Sequence, residues 1–338
     1  MRTTLPCLLL LSATAFAQSV VVPNANANVA GSTGLNTIIR NAGAPRTYQY
    51  GASAAELTNV PIGSVITGVS VRLYTGGVLL PAWPATDVTW STYDIWAGPA
   101  APLAGWGVDP AANFSSPPQQ VRTGPLTLDA GDFSNLGLAG TPNPWAEFYF
   151  DFQQPYLYLG GDLALLFSHP GSNSAAAAEF PDVVVPDAAT HGVSRSQSVQ
   201  NGNNTVVANF YVMRIHYGYG AGCAASSGNV PVLVQNADLT GGTGGDLLFT
   251  TVNAAPGSLA LLAGGFSQLG APIGGGCTLL VSPDVVLFAG ITDAKGRVTL
   301  SLSVPAAAAG SFFAQGAVLD SALPLGFCVT NAVSPSAN

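Results

Sequence analysis

The chain has 338 residues, of which only 8% are charged, and its formal net charge is -8 at pH 7. With nine Lys and Arg residues in total, it cannot form the clustered basic surface that nucleic acids and anionic membranes require, so we expect neither partner. The hydrophobic fraction of 48% excludes a disordered chain, because disorder needs low hydrophobicity together with high net charge.

Residues 1–17 have the three parts of a cleaved export signal. Arg2 supplies a positive start, residues 5–11 form an apolar stretch, and a small-x-small cleavage site ends at Ala17. The mature chain is therefore predicted to begin near Gln18 and to be secreted, either outside the cell or at the cell surface. The apolar stretch is too short to span a bilayer, so a retained anchor is the weaker alternative and no membrane span is expected.

Residues 18–219 are predicted to form the first domain, an aromatic-rich, jelly-roll-like β-sandwich. Helical periodicity is almost absent, and 40 Gly and 25 Pro residues interrupt short β-branched and aromatic runs along the chain. In residues 69–74, apolar side chains alternate with Ser70, Arg72 and Tyr74, which predicts one buried face and one solvated face. The predicted strands are at residues 20–23, 37–40, 47–50, 65–74, 88–96, 121–128, 146–152, 163–168 and 206–217.

All five Trp and all ten Tyr residues lie between residues 48 and 219. Trp83 and Trp106 lie in loops, the longer of which is a Pro-rich segment at residues 98–119 that also contains Asp109. Exposed aromatic rings beside carboxylates can stack on sugars, so Trp83, Trp106 and Asp109 are the candidate ligand-binding residues. The competing interpretation is that the rings fill the core. We expect Trp106 to be exposed and Trp83 to be partly buried.

Residues 221–338 are predicted to form a second β-sandwich of immunoglobulin-like size. They contain no Trp or Tyr but hold Cys223, Cys277 and Cys328, and this change coincides with a Gly-rich joint at residues 217–222. Three cysteines in an oxidising compartment allow one disulfide and leave one thiol, either buried or available for an intermolecular bond. The predicted strands are at residues 230–234, 247–252, 258–263, 277–281, 285–290, 297–304, 312–319 and 326–333.

No sequence motif indicates catalysis or a metal site. The chain has no Gly-x-Ser-x-Gly turn, no phosphate-binding loop and no dinucleotide-binding fingerprint. His169, His191 and His216 do not form a closely spaced pair of metal ligands. Asp129 and Asp132 come closest to a structural calcium loop, but too few carboxylates surround them, and we interpret them as turn residues. We therefore expect no metal and no cofactor.

The sequence Gly-Ala-Gly-Cys begins at residue 220, where the predicted second domain starts. It belongs to a set of stretches at residues 46–50, 62–72, 220–231, 276–284 and 315–320. These stretches resemble a family of exported two-domain β proteins from planctomycete-type bacteria. The second domain is similar to the C-terminal domain of that family and the first domain to the sandwich that often precedes it, so the resemblance covers nearly all of the mature chain.

The resemblance implies secretion, a β architecture and no established activity. It also implies that Cys223 and Cys277 form a disulfide, whereas Cys328 occupies a position at which that family has a small polar residue. The role of Cys328 is therefore open.

Together these features predict an exported, non-catalytic protein that acts at the cell surface or outside the cell by structure or by interaction. Its expected partners are polysaccharide or other surface proteins. A carbohydrate-binding module that uses exposed Trp and Tyr is the alternative. A secreted hydrolase is less well supported, because hydrolysis by paired carboxylates needs two of them about 5 to 9 Å apart and the chain has only three Glu residues.

Overall fold

The computed structural model confirms the all-β fold class. The described residues form 28 β-strands and three short 3-10 helices, and none of them is in an α-helix. Among them, no helix is long and apolar enough to cross a bilayer. The predicted export signal at residues 1–17 lies outside the described residues. The structure describes residues 18–40, 43, 45–76, 81–138, 140–146, 149–175, 179–185, 192–198, 203–205, 210–237, 244–305, 310–334 and 336–337.

The described residues of the first half, up to Tyr219, form seventeen strands and the three 3-10 helices. The helices are Asn24–Asn26, Thr37–Ile39 and Leu103–Gly105. The strands are β1 (Ser19–Val22), β2 (Thr33–Gly34), β3 (Arg46–Ala52), β4 (Ser64–Val71), β5 (Ala82–Trp83), β6 (Val88–Trp90), β7 (Asp94–Pro99), β8 (Gln119–Arg122), β9 (Leu126–Leu128), β10 (Phe133–Ser134), β11 (Phe150–Leu157), β12 (Leu163–His169), β13 (Asp182–Val184), β14 (Gly192–Ser198), β15 (Asn203–Thr205), β16 (Phe210–Tyr211) and β17 (Met213–Tyr219).

Two antiparallel sheets enclose the core of the first half. One has the strand order β15-β14-β3-β12-β7-β8, and the other contains β11-β4-β17, with β1 also paired to β17. The largest hydrophobic cluster of the described residues draws on both sheets, including Tyr48 and Phe167 from the first and Ile66, Phe150 and Ile215 from the second. Apolar side chains from the facing sheets therefore form one shared core, as in a β-sandwich.

The outer face of β4 and the residue after it are also buried, which corrects the prediction that Ser70 and Arg72 face solvent. Ser70 Oγ lies 2.8 Å from His216 Nε2, and Arg72 Nε donates to Asp182 Oδ2 at 3.0 Å. The Arg72 guanidinium also donates to three backbone carbonyls in residues 26–29. Period-2 alternation identifies the two faces of a strand but not the segments that cover each face.

The second half contains the remaining strands. They are β18 (Val232–Ala237), β19 (Gly244–Val252), β20 (Leu259–Gly265), β21 (Gln268–Gly274), β22 (Cys277–Val281), β23 (Val285–Ile291), β24 (Val298–Pro305), β25 (Gly310–Ser311), β26 (Phe313–Leu319), β27 (Phe327–Val333) and β28 (Ser336–Ala337).

A second sandwich forms between β27-β26-β20-β23 and β18-β19-β24. Its core includes Leu233 from β18, Phe249 from β19, Leu262 from β20 and Ala314 from β26. The hairpin of β21 and β22 lies against β26 and β27. Strand β21 is not among the predicted strands, because Gly and Pro residues obscure its pattern.

The predicted Cys223–Cys277 disulfide is present and ties the β22 hairpin to the start of the second half. Cys328 is a buried free thiol, which is the first of the two alternatives for the unpaired cysteine. Burial raises the pKa of the Cys328 thiol to about 11, because the thiolate is costly to remove from water.

The Gly-rich joint is built into a sheet that continues from one half into the other. Tyr219, at the end of β17, pairs with Ala332 of β27. A side chain at Gly218 would come within 2.6 Å of the Ala332 carbonyl oxygen, and one at Gly222 within 2.4 Å of the Val329 carbonyl oxygen. Glycine is required at both positions, because only a residue without a side chain allows this close backbone approach.

Most of the hydrophobic clusters consist of residues from only one side of the joint. The largest runs from Val20 to Tyr217, and the core of the second sandwich lies after it. One smaller cluster joins Tyr149 of the first half to three valines of the second half. The division into two domains, residues 18–219 and 221–338, stays a prediction as far as independent folding is concerned.

His169 is a buried imidazole with both ring nitrogens hydrogen-bonded. Nδ1 accepts from the Gly171 N–H at 3.0 Å, which leaves Nε2 to donate to the Thr37 carbonyl oxygen at 2.9 Å. The ring stacks on Tyr93 with 5.2 Å between centroids. Burial lowers the pKa of His169 from 6.5 to about 4, because desolvation disfavours the charged form. His191 lies outside the described residues.

We predict that the folded chain loses stability as the pH falls from 6.5 to about 4. In this window the unfolded chain binds a proton at His169 and the folded chain does not. The free energy of unfolding should therefore fall by on the order of 3 kcal/mol through this group. Urea unfolding at several pH values measures the slope. The His169→Gln variant should have a shallower slope, and equal slopes in variant and wild type would contradict the assignment.

Candidate functional site

The structure buries Trp83, one of the three predicted ligand-binding residues. Its side chain is 7% exposed, and it lies on β5, directly opposite Phe133 of β10. The two rings are 5.7 Å apart between centroids, and both belong to the main core of the first half. The ring is buried more completely than the partly buried ring that we expected, because the short β5–β10 pair places Trp83 in the core.

Trp106 is buried as well, at 4% exposure, which contradicts its predicted exposure. The indole N–H donates to the Ala101 carbonyl oxygen at 3.0 Å, and the ring packs with Phe114, Ala164 and Val193. The Pro-rich segment at residues 98–119 thus folds back over the outer face of the first sheet, and Trp106 covers that face. Together, Trp83 and Trp106 provide no exposed aromatic platform.

Asp109 is exposed, and its Oδ1 accepts a hydrogen bond from the Ala111 N–H at 3.0 Å. This is the geometry of an Asx turn. The loop is anchored by a pair that sequence reasoning missed: Asn113 Nδ2 donates to Gln49 Oε1 at 2.8 Å, and Gln49 donates to the Pro110 carbonyl oxygen at 3.0 Å. Gln49 lies in a strand, and no local pattern links it to a loop so distant in sequence.

A polar cleft of about 370 Å³ lies between the two halves of the chain. One wall comes from strands β8, β9 and β11 of the first half. The other comes from the segments before β18 and after β19 and from the turn between β23 and β24. Amide and hydroxyl side chains form part of the lining. The charged lining residues are Arg122, Asp151, Lys295 and Arg297.

The charged residues of the cleft form one ion pair within the first half and two contacts between the halves. Arg122 Nη1 and Asp151 Oδ2 form a buried ion pair at 2.9 Å, and Arg297 of the second half lies 3.9 Å from the other Asp151 oxygen. Lys295, the only lysine of the chain, pairs with Asp129. Burial and the neighbouring Arg297 lower the pKa of Lys295. The contacts of Lys295 with Asp129 and of Arg297 with Asp151 hold the two halves together, and we call this contact region the seam.

Asp129 and Asp132, the two residues that come closest to a calcium loop in the sequence, have other partners. Asp129 pairs with Lys295, and Asp132 Oδ2 accepts a hydrogen bond from the Asp129 N–H at 2.6 Å, which is a turn contact. In the part of the chain that the structure describes, no group of three or more His, Cys, Asp or Glu side chains is placed to hold a metal ion. The expectation of no cofactor stays a prediction.

An apolar surface covers one face of β20 and β23 in the second sandwich. Leu259 pairs with Ile291, Leu261 with Phe288 and Ala263 with Val286, so these six side chains lie on the same face. The three on β23 are the most exposed: Val286 at 54%, Phe288 at 59% and Ile291 at 64%. The three on β20 are half-buried. We call these six residues the β20–β23 surface. Contiguous exposed apolar residues of this kind mark interaction sites.

Strand β23 is also the edge of its sheet. The strand order ends with β20-β23, and within the described ranges no strand pairs with the outer side of β23. Natural edge strands are usually protected by charged residues or Pro, because their free N–H and C=O groups can pair with another chain. Strand β23 has the sequence Val-Val-Leu-Phe-Ala-Gly-Ile, with neither.

The sequence predicted a strand at residues 285–290 but not its position at the edge. A run of apolar residues looks the same in a buried strand and in an exposed one. The available signal was the absence of any charged residue from 285 to 292, in a strand that follows Asp284 and precedes Asp293.

No protein-family model matches the chain, and no curated protein matches it either. The resemblance to exported planctomycete-type proteins therefore stays a prediction.

We predict that the Asp151→Ala substitution lowers the free energy of unfolding by about 3 to 5 kcal/mol, because it leaves Arg122 buried without its carboxylate partner. Urea unfolding measures the effect. The matched control is Asp109→Ala, which removes an exposed carboxylate and should change the free energy by less than about 0.5 kcal/mol. A small effect of both substitutions would show that the Arg122–Asp151 ion pair does not stabilise the fold.

Proposed function

We propose that the chain is an exported, non-catalytic protein that acts at the cell surface or outside the cell through binding. The observation that carries the proposal is the β20–β23 surface at an open sheet edge. An exposed apolar face of this extent is costly in water and is retained where a partner covers it. Because the surface is apolar and lacks hydrogen-bonding side chains, a protein partner fits it better than a polysaccharide.

A non-catalytic role is supported by the environment of the potential acid–base groups. His169 is hydrogen-bonded to Thr37 and Gly171 in the core. The buried His216 is hydrogen-bonded to Ser70. Burial and the Arg214 charge lower the pKa of His216 well below its usual value. Both imidazoles are 5% exposed or less, so a substrate has no direct access to them.

The carbohydrate-binding alternative depended on Trp83 and Trp106. Both rings are buried, and Asp109 serves as a turn residue. No specific observation on the described residues now favours sugar binding, so we do not retain it as a second function.

Export can be tested by fractionating the cells that produce the full-length chain with a C-terminal epitope tag. We predict that the tagged protein is recovered from the medium or the cell surface and that its N-terminus lies near Gln18, because the leader has the features of a cleaved signal. Edman sequencing or mass spectrometry identifies the N-terminus. An unprocessed chain in the cytoplasm would overturn the proposal.

Binding can be tested with purified mature chain and washed cell envelopes in a sedimentation assay. We predict that Val286→Lys reduces the bound fraction at a given concentration by about tenfold, because a charge in the β20–β23 surface would have to be desolvated on binding. The matched control is Leu159→Lys, at a residue that is 70% exposed and far from this surface in sequence. Equal losses in both variants, or none, would count against the surface.

A further inference from the structure

At its first two residues, β23 is exposed on both faces of the sheet. Val285 pairs with Gly264 and Val286 with Ala263, so the two valines point to opposite faces of the sheet. Their side chains are nevertheless 51% and 54% exposed. A partner that lay flat on the β20–β23 surface would cover Val286 but not Val285. A strand added beside β23 would reach both, and its backbone would pair with the free groups of the edge.

The added strand has to be uncharged and apolar on both faces, because charged side chains beside β23 would lose water without gaining a partner. Strand β23 itself meets this description. Strand β24, an edge strand of the facing sheet, does not: its exposed residues Thr299, Ser301 and Ser303 are polar.

We propose that β23 pairs antiparallel with β23 of a second copy of this chain, so that the sheets of two molecules join edge to edge. The proposal rests on the proposed function, because it uses the same surface and names its partner. A two-fold axis perpendicular to the sheet makes the contact isologous and closed, so the product is a dimer and not a fibre.

The ladder between β20 and β23 is regular from Val285 to Phe288, and its register shifts at the next residue. The regular segment is the part of β23 best shaped to accept a neighbour, so the two-fold axis lies close to Leu287. Val286 of one copy then lies opposite Phe288 of the other on the same face. Pairs of an aromatic and a β-branched side chain are favourable between antiparallel strands.

The first test is the mass of the mature chain in solution, measured by sedimentation equilibrium over a range of concentrations. Wild type should be a dimer, and Val286→Lys and Phe288→Lys should each raise the dissociation constant more than about tenfold. Leu159→Lys should leave it unchanged. Circular dichroism and thermal unfolding verify that the variants are folded. A wild type that stays monomeric up to about 100 μM, or a dimer insensitive to both lysines, would overturn the proposal.

The second test is a short bifunctional maleimide applied to Phe288→Cys. With the axis at Leu287, the two Phe288 positions are diagonal neighbours across the new strand pair, about 7 to 8 Å apart, so two cysteines there should be linked into a covalent dimer. The Leu159→Cys variant should not be linked into a dimer. The background is low, because Cys328 is buried and Cys223 and Cys277 are bonded to each other. A dimer that Phe288→Cys fails to link would use another surface, which contradicts edge pairing.

The two proposals can fail separately. If the wild type is monomeric while envelope binding still depends on Val286, then the second copy is the wrong partner and the interaction function stands. If the dimer depends on Val286 but binding to envelopes does not, then self-association holds and the β20–β23 surface is not the envelope-binding site.

Discussion

The close backbone contact at Gly218 and Gly222 determines how the two halves of the molecule are joined. Because neither residue has a side chain, β27 can lie beside the end of β17 and continue its sheet. This one placement brings the β23–β24 turn against the first half, where its basic residues meet Asp151 and Asp129. It also determines the far end of the sheet: with β27 beside β17, the order runs outward through β26 and β20 and leaves β23 at the edge.

Neutral amide side chains form buried polar contacts of the kind that ion pairs form in other proteins. Asn331 is fully buried and bonds both the N–H and the carbonyl of Leu233, which links the two sheets of the second sandwich. Gln315 similarly accepts from Leu280 N–H and donates to the carbonyls of Thr278 and Thr330. A buried amide with its hydrogen bonds satisfied avoids the large desolvation cost of a buried charge. Buried amides of this kind satisfy backbone groups of the interior without adding charge.

Local features of the sequence predicted the all-β class and most strand positions, including β23 to within one residue. These properties depend on alternation and turn residues, which are local or nearly so. The pairing of Cys223 with Cys277, in contrast, was implied by the family resemblance. The environment of individual side chains was less predictable. Trp106 and Arg72 are buried by segments that are distant in sequence or that fold back in a way no periodicity encodes. The candidate site was missed for the same reason, because edge position is a property of strand order and not of any strand alone.

The scarcity of charge also explains why the β23 edge is open. Lysine on an edge strand is a common protection against pairing, because its charge would be buried by a neighbour. This chain has one lysine, and Lys295 is directed to Asp129 at the seam between the halves. The basic residues of the turn that follows β23 therefore contact the first half of the same chain. Strand β23 itself has no charged side chain at its edge. An edge without that protection favours association with an equally uncharged strand, and the same side-chain pattern is present on β23 of every copy of the chain.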